Sequence, residues 1–506
     1  MSVLVVGAGP TGLVLALNLA RRGVPLRIID ENAGPGQHSR AMAVQARTLE
    51  FYRSLGFADE IVAEGIVVER LHLRESGRDE RPHQILQLDF TDLGDGMSPF
   101  PFVLTYPQDD HERFLVKKLA DAGVTVERNT RLETFTQSAE GVDAKLSGPN
   151  GDEHVAVRYI CGCDGVHSTV RETLGLGFAG GTYEHFYFVC DAKVASGFER
   201  DLFVTVGTGT LALMFPVRST GMQRLIGLVP RNFSDPQSTT FDDIRGEIEP
   251  LLGTTVTEVN WFSCYRVHHR VAEHFRKGRA FIVGDAGHVH SPVGGQGMNT
   301  GIGDATNLGW KLADVVRGRV AESVLDTFEP ERIAFAHALV NTTDRVFTEI
   351  VRPGVRGELI RRIVGPLLMT VGTQFSAGRH ELFRIVSQTQ INYAGSALSD
   401  GRAGRVSGGD RLPWVATLDN FAPLSSLDWQ VHCYGSPGTK ASAFCKQLGI
   451  SLHAFAWNED CGHAGFARDA HYLVRPDGYV AAAVDGDDAM RLESYADRIG
   501  LQAKAL

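Results

Sequence analysis

The stretch SVLVVGAGPTGLVLALNLARRGVPLRIID, Ser2 to Asp30, runs an apolar strand (SVLVVG), a glycine turn, a helix (TGLVLALNLARRG) and a second apolar strand (PLRIID) in direct succession. A helix between two strands of one sheet joins them in parallel, so the chain is expected to open with a βαβ unit. Gly7, Gly9 and Gly12 fall on the turn in GxGxxG spacing, with Pro10 and Thr11 inside the motif. In that context Gly7 permits the tight turn, Gly9 lets the backbone approach a pyrophosphate, and Gly12 allows close helix–strand packing. Asp30 ends the second strand 23 residues after Gly7, with Glu31 beside it. An acidic side chain there accepts hydrogen bonds from a ribose. The motif implies a bound dinucleotide and leaves nicotinamide and flavin both open.

A second glycine-rich stretch, GDAGHVHSPVGGQGMN (284–299), has the strand-like RAFIV on its left and a helical pattern, NTGIGDATNLGWKLADVV, on its right. Five glycines in such a loop are costly to order. The loop ends at a helix N-terminus, where free N–H groups favour negative charge. Between the two stretches lies AVRYICGCDGVHSTVR (156–171), another strand ending at an acidic residue. A dehydrogenase with a single dinucleotide fold would place its substrate domain after the first unit. This chain returns to the sheet twice more, at Asp164 and at Asp285, which suits one long ligand contacted along its length.

Composition bounds the rest. At 506 residues the chain is long enough for roughly three domains. Its 43% hydrophobic and 22% charged residues exclude disordered and collagen-like classes. A net charge of −10, spread along the chain, argues against nucleic-acid and anionic-membrane partners. Seven cysteines, an odd number, do not form a disulfide framework and point to the reducing cytoplasm. Cys161 and Cys163 lack a second pair, so no zinc site is expected. The apolar N-terminus has neither a basic leader nor a cleavage site, and no segment reaches the ~20 apolar residues of a membrane span.

Four regions follow from the patterning. Residues 1–180 read as a dinucleotide-binding domain, within which 65–105 (IVVERLHLRE, ILQLDF) alternate like antiparallel strands that contribute to another layer. Residues 181–270 alternate again (HFYFVCDAKV, DLFVTVGTGTLALMFPV, QRLIGLVP) and imply a β-sheet that forms a substrate wall. Residues 271–400 return to the first domain and continue as helices. The break SGGDRLP (407–413) marks a boundary, leaving 408–506 as a small C-terminal unit with a hairpin at Pro476-Asp477-Gly478.

Three motifs in this order, GAGPTG (7–12), Asp164-Gly165 with Ser168 and Arg171, and Gly284-Asp285 with Pro292, resemble the class A flavoprotein monooxygenases, the para-hydroxybenzoate hydroxylase-like aromatic hydroxylases. The stretches SRA…QARTLE (39–50), HHRVAE (268–273) and GGQGMN (294–299) resemble the phenol and polyketide hydroxylase branch, and YLVRPDGYVA (472–481) its thioredoxin-like C-terminal domain. The resemblance implies an α/β fold: a Rossmann-like FAD-binding domain, an inserted antiparallel substrate sheet, and a thioredoxin-like α/β domain, here without CxxC. It implies FAD, with NADPH or NADH as cosubstrate and O2, and hydroxylation of a small phenolic or polyketide-type aromatic through a C4a-hydroperoxyflavin. It is compatible with a homodimer.

By the same resemblance Asp285 meets the ribityl chain, and the backbone of Gly295, Gln296, Gly297, Met298 and Asn299 lies beside the isoalloxazine. Arg40 lies near the pyrophosphate or flavin, and Gln108 at the ribityl chain. Asp164, Gly165 and Arg171 belong to an element shared by FAD and NAD(P)H, Gly284 opens the last turn, and Pro292 borders the reacting face. Pro292 and Gly297 thus hold the catalytic backbone positions. Met214, Phe215 and Pro216 are candidates either for a substrate pocket or for plain β-layer packing. His288 and His290 read as loop packing, and His268-His269-Arg270 as a sheet anchor. GSPGTK (435–440) lacks the Gly-Lys-Ser/Thr of a phosphate loop. Oxygenation of a non-aromatic enol, a flavin reductase or dehydrogenase without oxygen insertion, and a non-enzymatic flavin sensor are the alternative functions.

Overall fold

Val3–Val6 lies inside a six-stranded sheet with the order Arg276–Lys277, Ala280–Ile282, Tyr159–Gly162, Val3–Val6, Leu26–Ile29, Val126–Glu127. This is the computed structural model of the chain, described over residues 1–36, 41–76, 82–91, 93–196, 200–207, 209–217, 221–230, 238–290, 295–351 and 376–504. All neighbours are parallel except the edge strand Arg276–Lys277. The later strands add first on one side of Val3–Val6 and then on the other. The crevice beyond the ends of Val3–Val6 and Tyr159–Gly162 is therefore a topological switch point, where open α/β sheets bind ligands.

Both faces of this sheet are covered, which is why its strands read as unbroken apolar runs. Val3 and Val5 pack with Leu13, Leu17, Ile302 and Ala305, from helices Pro10–Ala20 and Gly297–Val316. Leu4 and Val6 pack with Leu132, Val142 and Val155 of a three-stranded antiparallel sheet.

The second layer is an eight-stranded sheet: His288–Val289, Val256–Ala272, Phe178–Val194, Met222–Leu228, Thr210–Pro216, Asp201–Gly207, Arg70–Glu75 and His83–Asp89. It is antiparallel apart from the join of Arg70–Glu75 to Asp201–Gly207. Period-2 alternation splits its faces. Phe188, Cys190, Ala212, Met214 and Leu225 pack under helix Phe241–Leu252, while Tyr187, Val206, Leu211, Leu228 and Val267 face the other way. The edge strand His288–Val289 carries the second glycine-rich stretch onto this layer.

A third sheet, ordered Val406–Ser407, Asp400–Ala403, Val480–Val484, His471–Val474, Gln430–Tyr434, Ser451–Phe455, forms the C-terminal unit. It begins at Asp400, so the boundary expected at 408 falls inside it. The glycines there serve close approach rather than a linker: a β-carbon on Gly408 would sit 2.2 Å from the Asp400 nitrogen, and Gly409 has φ 94°. The unit docks on helix Gly297–Val316, where Trp310 and Trp429 meet edge-on at 5.4 Å and Trp429 Nε1 donates to Asp314 at 2.9 Å. All seven cysteines are free thiols. Among the described residues no helix is long and apolar enough to cross a membrane.

Candidate active site

The three returns to the sheet meet at glycines. Gly7 has φ 98°, and a β-carbon there would lie 2.3 Å from the Cys163 carbonyl oxygen; one on Gly12 would lie 1.9 Å from the Gly7 carbonyl oxygen. Gly284, φ 64°, and Gly301 press on the Thr11 side chain, at 2.7 and 2.3 Å from Oγ1 by the same construction. The first turn is thus locked onto the second return by Gly7 and onto the third by Thr11. Gly9 differs from its neighbours, since a β-carbon there would meet nothing within 4 Å. Its backbone borders open space at the N-terminus of helix Pro10–Ala20, whose first residue is Pro10.

Asp30 braces this turn. Its Oδ2 accepts from the Ala8 N–H at 2.7 Å and its Oδ1 from the Asn32 N–H at 2.8 Å, while Glu31 is exposed. Gln108, at the start of helix Gln108–Asp121, donates to Glu112 at 2.9 Å and accepts from the Ala41 N–H at 3.3 Å. Glu112 also accepts from the Gly36 N–H at 3.0 Å, and burial pushes its carboxyl up. Glu112 escaped sequence reading because it stands in the second turn of a helix among other charged residues, where a carboxylate ordinarily faces water.

At the second return Gly165 has φ 74° and Asp164 accepts from the Val170 N–H at 3.2 Å. Asp164 Oδ1 is buried with no hydrogen-bond partner among the described residues, and burial raises its carboxyl. Ser168 caps the short helix Thr169–Thr173. Arg171 spends its guanidinium on backbone, donating to Ala286 O and Val166 O at 2.9 Å each, over the Phe178 ring. It is a strut between the second and third returns.

In the third stretch Gly284–Ala286 is a 3-10 turn with Asp285 exposed, and helix Gly297–Val316 starts after Gln296. Gly295, φ 60°, rests against Ala43, and Gln296 donates to Val386 O at 3.0 Å. Asn299 is committed within the protein. Its Oδ1 accepts from Gln45 N–H and Thr48 Oγ1, and its Nδ2 donates to Ala43 O and Gly295 O. Only the backbone of Asn299 remains for a ligand. Met298 is half-buried. His288 bonds Asp304 at 2.7 Å, and Asp304 also accepts from the Gly284 N–H at 3.1 Å and from Arg332 Nε at 2.5 Å. Among the described residues no three metal-binding side chains cluster. Arg40 and Pro292 lie outside the described residues.

The substrate candidates divide. Met214 is 1% exposed and packs under the helix Phe241–Leu252, which is the β-layer packing alternative of its two readings. Phe215 points the other way, with Met42 and Met222, and Pro216 O accepts from Thr105 Oγ1 at 2.8 Å. On Phe215's side lies a buried ion pair that sequence reading missed: Arg224 holds Asp191 through two bonds of 2.7 Å and reaches Ala41 O at 3.3 Å. His268 bonds Thr182 across the sheet at 2.7 Å. In GSPGTK the helix N-terminus is already taken by a carboxylate, Asp487 accepting from the Lys440 and Ala441 N–H groups.

These features fit a dinucleotide: an open backbone at Gly9, an orphaned buried oxygen on Asp164, an exposed Asp285 and two helix N-termini at one switch point. Residues 1–343 match the FAD binding domain family. The 6-methylpretetramide 4-monooxygenase of Streptomyces rimosus is 38% identical over 79% of this chain and 72% of its own. A flavin-dependent monooxygenase of Mycobacteroides abscessus is 30% identical over 96% of this chain and 97% of its own. The solved anhydrotetracycline hydroxylase OxyS from Streptomyces rimosus superposes with a TM-score of 0.77 at 26% identity, covering 100% of this chain and 99% of that one. The chain therefore belongs to the FAD binding domain family, among its flavin-dependent monooxygenases.

Proposed function

We propose that the chain hydroxylates a phenolic, polyketide-type polycyclic substrate, consuming O2 and NADPH or NADH, with FAD held by the three returns. The observation that carries this reading is the edge strand His288–Val289, which joins the glycine loop to the eight-stranded sheet. The loop is thereby tied to the edge of the sheet that bears Tyr183, Tyr187, Leu213 and Tyr265 on one face, with Phe215 further along that face, and we take this face as the substrate wall. Aromatic side chains on a rigid wall suit a flat aromatic substrate.

When bound, FAD supplies the transfer of electrons from NAD(P)H and the activation of O2. The chain supplies position. Gly9 and the N-terminus at Pro10 receive the pyrophosphate, Asp30 the adenosine ribose, and Gln108 and Asp285 the flavin side. Free N–H groups at Gly297 and Met298 stabilise negative charge on the ring. Because the cofactor supplies the chemistry, no dedicated acid or base is expected of the chain. The C-terminal unit's order Ser451–Phe455, Gln430–Tyr434, His471–Val474, Val480–Val484, with helix Thr439–Leu448 crossing between its parallel pair, supports a thioredoxin-like reading. Seven free thiols support a cytoplasmic one.

The test is turnover under 18O2 with single-ring phenols and tetracyclic polyketide phenols. We expect one labelled oxygen in the product of a polycyclic phenol and NAD(P)H consumption that rises with that substrate. NAD(P)H oxidation that never places label in any product would favour a flavin reductase and overturn the proposal. Label entering only non-aromatic enols would move it to the enol oxygenases.

A further inference from the structure

Glu331 and Arg332 are consecutive on helix Phe328–Val351 and hold opposite ends of one buried charge array. Three cations, Lys311, Arg332 and Arg475, and three carboxylates, Asp304, Glu331 and Asp477, are each at most 5% exposed. Arg475, in the hairpin turn of the C-terminal unit, donates to Glu331 at 2.9 and 3.0 Å and to Asp477 at 2.7 and 3.1 Å. Lys311 and Asn307, both on the helix that follows the glycine loop, also donate to Glu331, at 2.8 and 2.6 Å. One residue on, Arg332 donates to Asp304, to Thr300 O at 3.2 Å and to Tyr393 OH at 3.0 Å. Asp304 in turn receives the Gly284 N–H and His288. The Arg475 guanidinium lies over both Trp310 and Tyr393, at 5.1 and 5.2 Å.

Each charge in the array is buried and tolerable only while its opposite neighbour is in place. Arg475 alone of the three cations comes from the C-terminal unit. Removing it takes one fork of donors from both Glu331 and Asp477, leaving Asp477 with Trp310 Nε1 at 3.0 Å and Glu331 with Lys311, Asn307 and Ser396, so that helix Gly297–Val316 and the Pro330–Arg332 segment must rearrange around two carboxylates that share one cation fewer. The two groups that set the geometry of the glycine stretch, Asp304 at its start and Thr300 at its end, are both held by the neighbour of the residue that Arg475 grips.

We propose that Arg475 is a positioning residue for the opening of the glycine stretch, 284–290, acting through Glu331 and Arg332 on Asp304, so that the C-terminal unit is a fixed part of the flavin site. The proposal rests on reading that loop as the flavin-facing one. The contacts form one continuous packed route, and coupling along it is what the experiment measures.

The test uses the full chain stripped of FAD, with Arg475→Met and Arg475→Lys set against Trp429→Phe, a change in the same inter-unit contact that removes no hydrogen bond of the array and keeps a ring against Trp310. Hydrogen exchange of residues 284–290 is read on the apoprotein, and FAD affinity by titration of flavin fluorescence. We expect Arg475→Met to weaken FAD about tenfold or more and to speed exchange at 284–290 comparably. Arg475→Lys, which keeps the charge but loses the fork, should lie between it and the native protein. Trp429→Phe should lower the melting temperature yet leave FAD affinity within about twofold. Unchanged exchange and affinity in folded Arg475→Met, an equal loss of affinity in Trp429→Phe, or failure of both Arg475 variants to fold would each overturn the proposal. Because exchange is measured without flavin, and Gly297→Val tests the flavin-facing reading of the loop independently, the loop's assignment and the role of Arg475 fail separately.

Discussion

Gly12 is packed so closely on Gly7 that a β-carbon at Gly12 would lie 1.9 Å from the Gly7 carbonyl oxygen. Gly12→Ala must move the turn or the helix, and overpacking of this kind costs ~1–3 kcal/mol or more. Apoprotein melting should fall accordingly. Gly9 has open space where its β-carbon would be, so Gly9→Asp should leave apoprotein melting nearly unchanged while its carboxylate repels the pyrophosphate. Flavin absorbance in the purified Gly9→Asp protein would sink the assignment of the first turn.

Met214 and Phe215 are adjacent and point to opposite faces of one strand. Met214→Ala should cost ~2–5 kcal/mol of stability, with KM for the aromatic substrate unchanged. Phe215→Ala should do the reverse, with a small stability loss and a higher KM or more peroxide per NAD(P)H consumed. Melting curves and steady-state kinetics on both variants decide it, and a KM effect from Met214→Ala would put the substrate on the wrong side of the sheet.

His111 is fully buried with Nε2 2.7 Å from the Tyr52 hydroxyl, and burial pushes its pKa down from 6.5 to about 3. Between those values the unfolded chain binds a proton that the folded one does not. Stability therefore rises with pH across that window and is lost as pH falls through it, by up to ~1.4 kcal/mol per pH unit. His111→Gln, which keeps a hydrogen-bonding group near Tyr52, should show a shallower fall in melting temperature from pH 6 to pH 4. An identical slope in the two proteins would mean that His111 is protonated in the folded state.

The parallel core was legible because its signals are local. Gly7, Gly9, Gly12 and Asp30 stand within one βαβ unit, and strands buried on both faces read as apolar runs. Sequence alternation also separates Met214 from Phe215, but which face meets the loop depends on what covers the sheet, here helix Phe241–Leu252, and that is not a local property. Gly408 and Gly409 read as a break because a glycine needed for close approach looks the same in sequence as one in a linker. Asp304, Lys311 and Asp314 sit in a helix that is otherwise buried nearly all round. Charges in such a helix were the available sign of a buried network, yet their partners Arg332, Glu331 and Arg475 come from distant segments that no spacing rule connects.

Cys433, Cys445 and Cys461 are buried, and burial raises all three thiols, Cys433 and Cys445 to about 11. Thiol chemistry requires the thiolate, which is scarce at neutral pH in such sites. The triple substitution to alanine should leave turnover within about threefold, under 1 kcal/mol of barrier. A hundredfold loss in folded protein would reveal a redox role for the C-terminal unit.

Gly297 opens the helix after the glycine loop, and a β-carbon there would meet only the His290 ring, at 3.6 to 3.8 Å. That is ordinary contact, so the folded protein can accept Gly297→Val with little loss of stability. The cost falls on the ligand side. A β-branched side chain at the helix N-terminus would hold the isoalloxazine away from the N–H groups that stabilise the negative charge it carries when reduced. Losing one such aligned donor typically costs ~2.7–4 kcal/mol of barrier, or about a hundred- to a thousandfold in rate. FAD should still bind, because Gly9 and Asp30 hold its adenosine end on a separate return. Reduction by NAD(P)H should be slow, and the oxygen consumed should leave as hydrogen peroxide in place of hydroxylated product. Stopped-flow reduction combined with a peroxide assay measures both. Native reduction rates with full coupling to product would make Gly284–Asn299 a connector, and the flavin would then have to take its charge stabilisation from elsewhere in the switch-point crevice.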